Sequence, residues 1–275
     1  MVGFLCSTFT FSVFFKSIAA ASASFPTGAD ADLRTWLLWY SALPEPSLLI
    51  VKVTALGIVL TLVVNAPAHQ PFGAPEVGVS LPGRALRQLL NGASHLLLVY
   101  LWASLCLDVG CLLTLAQGVA TEPPFRNPLL ASRSVREAWG ERWNVPVHTL
   151  LKRAIYIPAR RRGVPVLPAA LLTFFCSGLL HEYNFSVHDA GFYAPGHATV
   201  FFMLMGGVML LEELLVRSVS WPPGARRVWA ALPSPLISAA IQLCVLPVFS
   251  SLFMRSWLDA GVLTALQQLV PHWRC

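Results

Sequence analysis

Residues 174–188 read FFCSGLLHEYNFSVH, an apolar run that continues directly into a histidine and a glutamate. The apolar character extends back to position 165, so the segment 165–187 has the ~20 residues that a helix needs to cross a ~30 Å hydrocarbon core. Ionisable side chains inside such a helix are costly and tend to mark function. His181 and Glu182 are therefore the first candidates for a functional site.

The rest of the chain has the composition of an integral membrane protein. Of its 275 residues, 56% are hydrophobic and only 12% are charged, whereas soluble domains have about a quarter charged residues. Further apolar runs of spanning length occur at 47–65, 93–117, 198–216 and 233–253. The sequence predicts an all-α, polytopic membrane domain over residues 1–275 with five spans. The apolar N-terminal run, interrupted by Lys16, is predicted to be a sixth, weaker span or the remnant of one.

The positive charge is concentrated in one segment. Nine of the nineteen Lys and Arg residues lie between positions 121 and 165, although the net charge of the whole chain is only +6. Basic loops stay on the cytoplasmic side of a membrane, so this segment is predicted to face the cytosol and the loop 188–197 to lie on the far side. The charge is thus interpreted as a topology signal, and no nucleic-acid partner is predicted.

An amphipathic pattern occupies the middle of that basic segment. Four apolar side chains recur at four-residue spacing and share one helical face: Val135, Trp139, Trp143 and Val147. A basic helix with tryptophans on its apolar face is typical of the membrane interface. Because Gly140 and Pro146 interrupt the pattern, we expect two short helices or a kink near Pro146.

A metal site at the His-Glu pair is not supported. The zinc motif H-E-x-x-H needs a second histidine four residues after the first, and that position is Phe185. The far-side loop offers three more potential ligands: His188, Asp189 and His197. Three polar residues in a short loop are usually solvated, so no metal is predicted.

Nucleophilic catalysis within this helix is not supported either. Ser177 lacks the first glycine of the G-x-S-x-G elbow. Cys176 lies five positions before His181, about 140° away around a helix. Two interpretations of His181 stay open: a core histidine bonded to a carbonyl, and a neutral imidazole that accepts a proton from a hydroxyl.

Three stretches, in this order, resemble one family: FRNPLLASRSVREAWGERWN (125–144), LLKRAIYIP (150–158) and TFFCSGLLHE (173–182). Together they look like the wax synthase branch of the membrane-bound O-acyltransferases, the long-chain-alcohol O-fatty-acyltransferases. The similar core covers about residues 121–190, and similarity elsewhere is mainly hydrophobic pattern. Members of this family usually begin with additional hydrophobic segments, so the resemblance implies that this chain is short at its N-terminus.

The resemblance implies an enzyme that transfers a fatty acyl group from acyl-CoA to a lipophilic alcohol, giving wax esters, with no further cofactor. The family's histidine corresponds to His181, the general base on the alcohol, and its asparagine to Asn144. Asn144 either orients the acceptor or donates a hydrogen bond to the oxyanion, while a helix cap is its non-catalytic alternative. Four other motif residues are interpreted as scaffolding: Trp139, Arg142, Trp143 and Tyr156.

A basic cluster precedes the His181 helix and offers a site for the CoA phosphates. It consists of Lys152, Arg153, Arg160, Arg161 and Arg162. His181 lies 16 residues beyond Pro165, about 24 Å into the membrane at ~1.5 Å per residue, so the pantetheine arm would have to enter the bilayer. The alternative is that these arginines only set topology.

Rival functions remain open at this stage. The acceptor could be a sterol, a diacylglycerol or a specialised metabolite, since one sequence does not reveal pocket shape. A transporter or a non-catalytic lipid-binding relative is the rival from another class; transporters tend to show internal repeats, or broken spans with paired intramembrane charges. The sequence has no internal repeat, and four charged residues lie near span ends or lack an obvious partner: Lys52, Asp108, Glu212 and Glu213. The endoplasmic reticulum membrane is expected from the family, and the oligomeric state stays open.

Overall fold

A computed structural model describes residues 52–59, 61, 80–115, 123–187, 194–218 and 222–262. All regular structure in these ranges is helical. Residues 52–59 are helical but belong to a helix that is described only in part, so the numbering starts with the next one. The α-helices are α1 Leu81–Leu115, α2 Val135–Glu137, α3 Val145–Leu151, α4 Ile157–Arg161, α5 Val166–Ser186, α6 His197–Ser218, α7 Pro223–Ala231, α8 Ser234–Val248 and α9 Met254–Asp259. Three π-helical segments connect some of them: π1 Ala138–Arg142, π2 Lys152–Tyr156 and π3 Phe249–Phe253.

Three described helices are long and apolar enough to cross a membrane. They contain the candidate spans Pro82–Asp108, Val166–Ser186 and His197–Val216. These match three of the five predicted spans, 93–117, 165–187 and 198–216. The prediction of an all-α membrane protein is confirmed for the described part of the chain.

The other predicted spans differ from the structure or lie partly outside it. The run 233–253 begins as α8, whose apolar part Ser234–Val245 is shorter than a span, and continues without a break through π3 and α9. The predicted span 47–65 is described only at 52–59 and 61. The N-terminal run lies outside the described residues.

Helix α1 begins earlier than its hydropathy indicates. It has 35 residues and starts at Leu81, whereas the predicted span starts at position 93. Arg84 and Arg87, which precede the uncharged run and would lie in a loop if the helix began at position 93, therefore lie in its first turns. Long basic side chains near the end of a span can extend their charged groups towards water, so a helix can begin before the uncharged run does.

Helices α5 and α6 form a close antiparallel pair. A Cβ added at Gly178 of α5 would lie 2.6 Å from Cα of Thr199 in α6, and one added at Gly206 would lie 2.9 Å from the Phe174 ring. Position 178 is thus opposite 199 while the earlier 174 is opposite the later 206, which defines the antiparallel direction. Small residues permit such close approach between membrane helices.

The core lies where α1, α5, α6 and the π3–α9 segment meet. Its fully buried large side chains include Leu98, Phe185, Phe201, Phe249 and Met254. The aromatic rings contact one another edge to face or stacked, as Phe249 and Phe253 do at 5.1 Å between centroids. This aromatic core packs against the side of α5 on which His181 lies.

Lys52 and Asp108 form an ion pair that the sequence did not reveal. Their Nζ and Oδ2 atoms are 2.5 Å apart, and the Asp108 side chain is fully buried. The two residues are 56 positions apart and therefore meet only through tertiary packing. The interpretation that they lack partners is wrong, because each neutralises the other where α1 approaches the helical residues 52–59.

The amphipathic segment forms two short helical pieces, as predicted. The first piece comprises α2 and π1. The helix is interrupted at Trp143 and Asn144, and α3 follows with Pro146 in its first turn. Glu212 of α6 accepts hydrogen bonds from the backbone N–H groups of Val135 and Arg136, both at 2.9 Å. The segment is thus attached to α6, and its tryptophan face packs against the protein core.

Candidate active site

A single large cavity of about 1300 Å³ contains both of the predicted catalytic residues. Typical small-molecule pockets have about 300–1,000 Å³, so this space is large enough for more than one ligand. The cavity-lining residues of α5 lie on one face of the helix and include Ser177, Leu180, His181 and Asn184. Asn144 lines the same cavity from the break before α3.

His181 is held in one tautomer by its own helix. Its Nδ1 lies 2.8 Å from the carbonyl oxygen of Ser177. A carbonyl can only accept, so Nδ1 carries the hydrogen and Nε2 has the free lone pair. The ring stacks on Phe202 with 4.4 Å between centroids and meets Phe253 edge to face at 5.4 Å. The imidazole is therefore fixed in both tautomer and orientation.

Glu182 caps the N-terminus of the neighbouring helix α6. Its Oε1 accepts a hydrogen bond of 2.8 Å from the backbone N–H of Thr199 in the first turn of α6. The N–H groups of a first turn lack intrahelical partners and attract negative charge. The residue is only 8% exposed, and Glu182 connects α5 to the N-terminus of α6 beside the close contact at Gly178.

Replacement of Glu182 by alanine is expected to destabilise the α5–α6 pair. Loss of a helix cap typically costs about 0.5–2 kcal/mol, so the thermal unfolding midpoint of the detergent-solubilised protein should fall by several degrees. Glu182→Gln keeps an acceptor oxygen for Thr199 and should lose less. Equal midpoints for wild type and Glu182→Ala would contradict the capping role.

Asn144 caps α3 and also lines the cavity. It adopts a left-handed conformation (φ 45°, ψ 60°), and its Oδ1 accepts a weak hydrogen bond of 3.4 Å from the backbone N–H of Val147. Asparagine tolerates this region of backbone space better than most residues. The helix cap considered from sequence is therefore present. It leaves the amide NH₂ group available to a ligand, so the cap and a catalytic role can coexist.

Of the remaining motif residues, Trp139, Trp143 and Tyr156 line the cavity and Arg142 does not. Trp139 and Trp143 stack at 4.8 Å between centroids, and Phe125 packs edge to face on Trp143 at 5.3 Å. Arg142 donates to Glu137 Oε1 with two nitrogens, at 2.8 and 2.5 Å. Burial tends to raise the pKa of Glu137, but the Arg133 backbone N–H and the Arg142 guanidinium outweigh it and hold that pKa below its ordinary value.

The three predicted CoA-binding arginines are all exposed, and they differ in whether they line the cavity. Arg161 lines the cavity. Arg160 instead donates a hydrogen bond of 2.7 Å to the carbonyl oxygen of Val164, closing the turn before α5. Arg162 is exposed and does not line the cavity. Lys152 and Arg153 of the same cluster do line it.

Several cavity residues were missed from the sequence. Arg126 and Arg136 line the cavity, and so does His148 of α3. Burial lowers the pKa of His148, and the nearby charges of Lys152 and Arg126 lower it further. No spacing rule identifies these residues, because they come from a loop and two short helices that only the tertiary fold brings together.

Asn184 was also missed, although its position could have been read from the sequence. It lies three residues after His181 on the same helix and thus on nearly the same face.

The structure adds no support for a metal site. The described residues contain no group of three His, Cys, Asp or Glu side chains able to hold an ion. His188 and Asp189 lie outside the described residues.

These observations define a class, an all-α integral membrane protein with a large cavity lined by a half-buried histidine. Residues 122–204, which include His181 and Asn144, match the model of the membrane bound O-acyl transferase family. The resemblance predicted from the motifs is therefore confirmed for this segment.

Curated relatives agree with this match. The protein named Probable long-chain-alcohol O-fatty-acyltransferase 2 of Arabidopsis thaliana is 35% identical over 144 residues, 49% of this chain and 40% of the relative. Probable long-chain-alcohol O-fatty-acyltransferase 3 of the same organism is 31% identical over 169 residues, 58% of this chain and 46% of the relative. Diacylglycerol O-acyltransferase 1C of Glycine max is 43% identical over 51 residues, 18% of this chain and 10% of the relative. The chain thus spans less than half the length of the relatives that it matches, and no solved structure matches it significantly.

Proposed function

We propose that this protein transfers a fatty acyl group from acyl-CoA to the hydroxyl of a lipophilic alcohol, giving a wax ester. The observation that supports this best is the fixed tautomer of His181, whose Nδ1–H is bonded to Ser177 while the ring lines a large, mainly apolar cavity. An imidazole in this state can accept a proton through Nε2. The names of the Arabidopsis relatives support the same reaction.

The His181 imidazole acts as the general base. Nε2 takes the proton of the acceptor hydroxyl as the alcohol oxygen attacks the thioester carbonyl carbon, forming the new C–O bond. When the oxyanion collapses, the C–S bond breaks, and the departing CoA sulfur receives the proton back from Nε2. Proton and charge are balanced, so the reaction needs no metal and no cofactor beyond acyl-CoA as co-substrate.

Asn144 donates a hydrogen bond to the developing oxyanion. Its Oδ1 accepts the Val147 N–H, and its Nδ2 can only donate. An oxyanion requires a donor, and one well-placed donor can contribute about 3 kcal/mol to the rate. The alternative is that the same amide donates to the oxygen of the alcohol and thereby orients the acceptor.

Acyl-CoA enters from the basic end of the cavity. The lining runs from Arg161 and Val166 at the start of α5 to His181, about 22 Å along the helix at ~1.5 Å per residue. The phosphates stay with the basic residues at the cytosolic end while the pantetheine arm reaches inward. The predicted roles of Arg160 and Arg162 are thereby reduced, since neither lines the cavity.

Replacement of Arg161 by alanine is expected to raise KM for acyl-CoA about 5- to 20-fold with little change in kcat. A charge-assisted bond to phosphate is worth roughly 1–2 kcal/mol, and a contact equally strong in ground and transition states affects KM. Arg162→Ala is the matched control, because this neighbouring arginine is equally exposed but does not line the cavity. Equal KM values for the two variants would limit Arg161 to a role in topology.

The function is tested by supplying labelled acyl-CoA to microsomes from a host that lacks neutral-lipid synthesis. A mixed panel of long-chain alcohol, sterol and diacylglycerol identifies the acceptor from the labelled product. We expect a wax ester that depends on expression of this protein. Absence of every labelled ester from membrane-inserted protein would overturn the proposal and favour a non-catalytic lipid-binding relative.

Diacylglycerol is the second candidate acceptor. The Glycine max relative is named a diacylglycerol O-acyltransferase, and its 43% identity over 51 residues is higher than the identity of the wax-synthase-like relatives over their longer matches. Labelled triacylglycerol from the same assay would favour this acceptor.

For location we propose the endoplasmic reticulum membrane, where an integral membrane protein has access to acyl-CoA and lipid substrates. Microscopy of the tagged chain tests this.

A further inference from the structure

Asn184 is a buried amide with unused hydrogen-bonding capacity in the wall of the cavity. The residue is 7% exposed, and it lines the cavity on the same face of α5 as His181. Its Oδ1 is buried and has no hydrogen-bond partner among the described residues. Buried polar groups are normally hydrogen-bonded, so an unsatisfied amide in a ligand cavity points to a ligand group that completes it.

The position of Asn184 restricts which part of a ligand it can contact. Residues three apart on a helix have Cβ atoms about 5–6 Å apart. If the reacting hydroxyl is bonded to His181 Nε2, the amide of Asn184 reaches a group on the same carbon or on a neighbouring carbon of the acceptor. The apolar Leu180, which also lines the cavity, cannot contact that group through a hydrogen bond.

Counting donors shows that a plain alcohol does not satisfy both residues. A long-chain alcohol has one O–H hydrogen, and the reaction requires that it point to His181 Nε2. Oδ1 of Asn184 can only accept, so it stays without a partner when such an alcohol is bound. An acceptor with a second O–H or N–H on the adjacent carbon supplies the missing donor.

We infer that Asn184 selects acceptors that have a second hydrogen-bond donor next to the reacting hydroxyl, such as a long-chain 1,2-diol. The inference rests on the proposed function, because it places the acceptor hydroxyl at His181. It makes Asn184 a specificity-determining residue. The product would be a hydroxy ester, formed by the same transfer from acyl-CoA with the second hydroxyl left intact.

The test is equilibrium binding of three radiolabelled ligands to the purified full chain in nanodiscs, without acyl-CoA. The ligands are 1,2-hexadecanediol, 1-hexadecanol and 2-methoxy-1-hexadecanol, which has a second oxygen but no second donor. Wild type is expected to bind the diol at least about 10-fold more tightly than either other ligand, because sites built to bond a donor discriminate against analogues that lack it. Asn184→Leu should bring the three affinities to within about 3-fold of one another.

Tyr183→Leu is the matched control, since Tyr183 neighbours Asn184 on α5 but is 43% exposed and does not line the cavity. It should retain the preference for the diol. Equal binding of all three ligands by wild type, or no binding at all, overturns the inference without any variant. An equal loss of all three affinities in Asn184→Leu also overturns it, since that is a structural effect.

The same experiment separates this inference from the proposed function. Binding does not depend on acyl transfer, so a diol preference in a protein that forms no ester supports the role of Asn184 while the proposed reaction fails. Conversely, ester formation from plain alcohol by a protein with no diol preference keeps the reaction and removes the inference.

Discussion

His181→Ala is expected to lower kcat for ester formation by about 10²- to 10⁴-fold, the range typical for loss of a general base. The structure gives the reason in one contact, the 2.8 Å hydrogen bond from Nδ1–H to the Ser177 carbonyl, which leaves Nε2 as the proton acceptor. The measurement is ester formation at saturating acyl-CoA and alcohol, at matched expression in membranes.

Two controls separate catalysis from packing at this position. His181→Gln keeps a polar side chain able to bond the Ser177 carbonyl but has no basic nitrogen, so it should be as inactive as the alanine variant. His197→Ala removes a histidine at the start of α6 that does not line the cavity, and its activity should stay near that of wild type. Activity restored by glutamine would show that His181 has only a structural role.

Gly178→Ala is expected to be the most damaging methyl addition in the α5–α6 pair. Its Cβ would lie 2.6 Å from the Cα of Thr199, a backbone atom that cannot rotate away. Overpacking typically costs about 1–3 kcal/mol, so the unfolding midpoint of the solubilised protein should fall by several degrees. Because His181 lies on the turn after Gly178, ester formation should fall as well.

Gly207→Ala provides the control within the same helix pair. A Cβ at this position would meet no atom within 4 Å, and alanine has the higher helix propensity. Its midpoint should equal or exceed that of wild type. A Gly178→Ala midpoint indistinguishable from that of Gly207→Ala would mean that α5 and α6 are further apart than described here.

Local sequence patterns were sufficient for much of the fold. Helix α5 starts directly after Pro165 and contains the predicted span, because a long apolar run bounded by proline has few alternatives in a membrane. The break before Pro146 followed from the same kind of local rule. The start of α1 could not be predicted in this way. Arg84 and Arg87 lower the local hydropathy and so make the segment look like a loop, but their long side chains are compatible with the end of a helix.

In the candidate site, too, the residues that local patterns identify differ from those that depend on tertiary packing. His181 and Asn144 were identified from motifs, and the Ser177 partner of His181 lies at i−4, within reach of a helical argument. The contact between Glu182 and Thr199 depends on how two helices pack, and the Lys52–Asp108 pair joins residues 56 positions apart. Local periodicity does not determine such contacts, so the sequence left both pairs unassigned.

The attachment of α2 to Glu212 affects the order of events during synthesis. The Val135 N–H bonded to Glu212 is made 77 residues before its acceptor, a delay of roughly 4–15 s at ~5–20 residues per second on the ribosome. Until α6 is inserted, Trp139 lacks its edge-to-face contact with Phe201 of α6, and this part of the face can lie against the bilayer surface. The interfacial pattern in the sequence thus suits an intermediate of biogenesis, and the packed tryptophans are its final state.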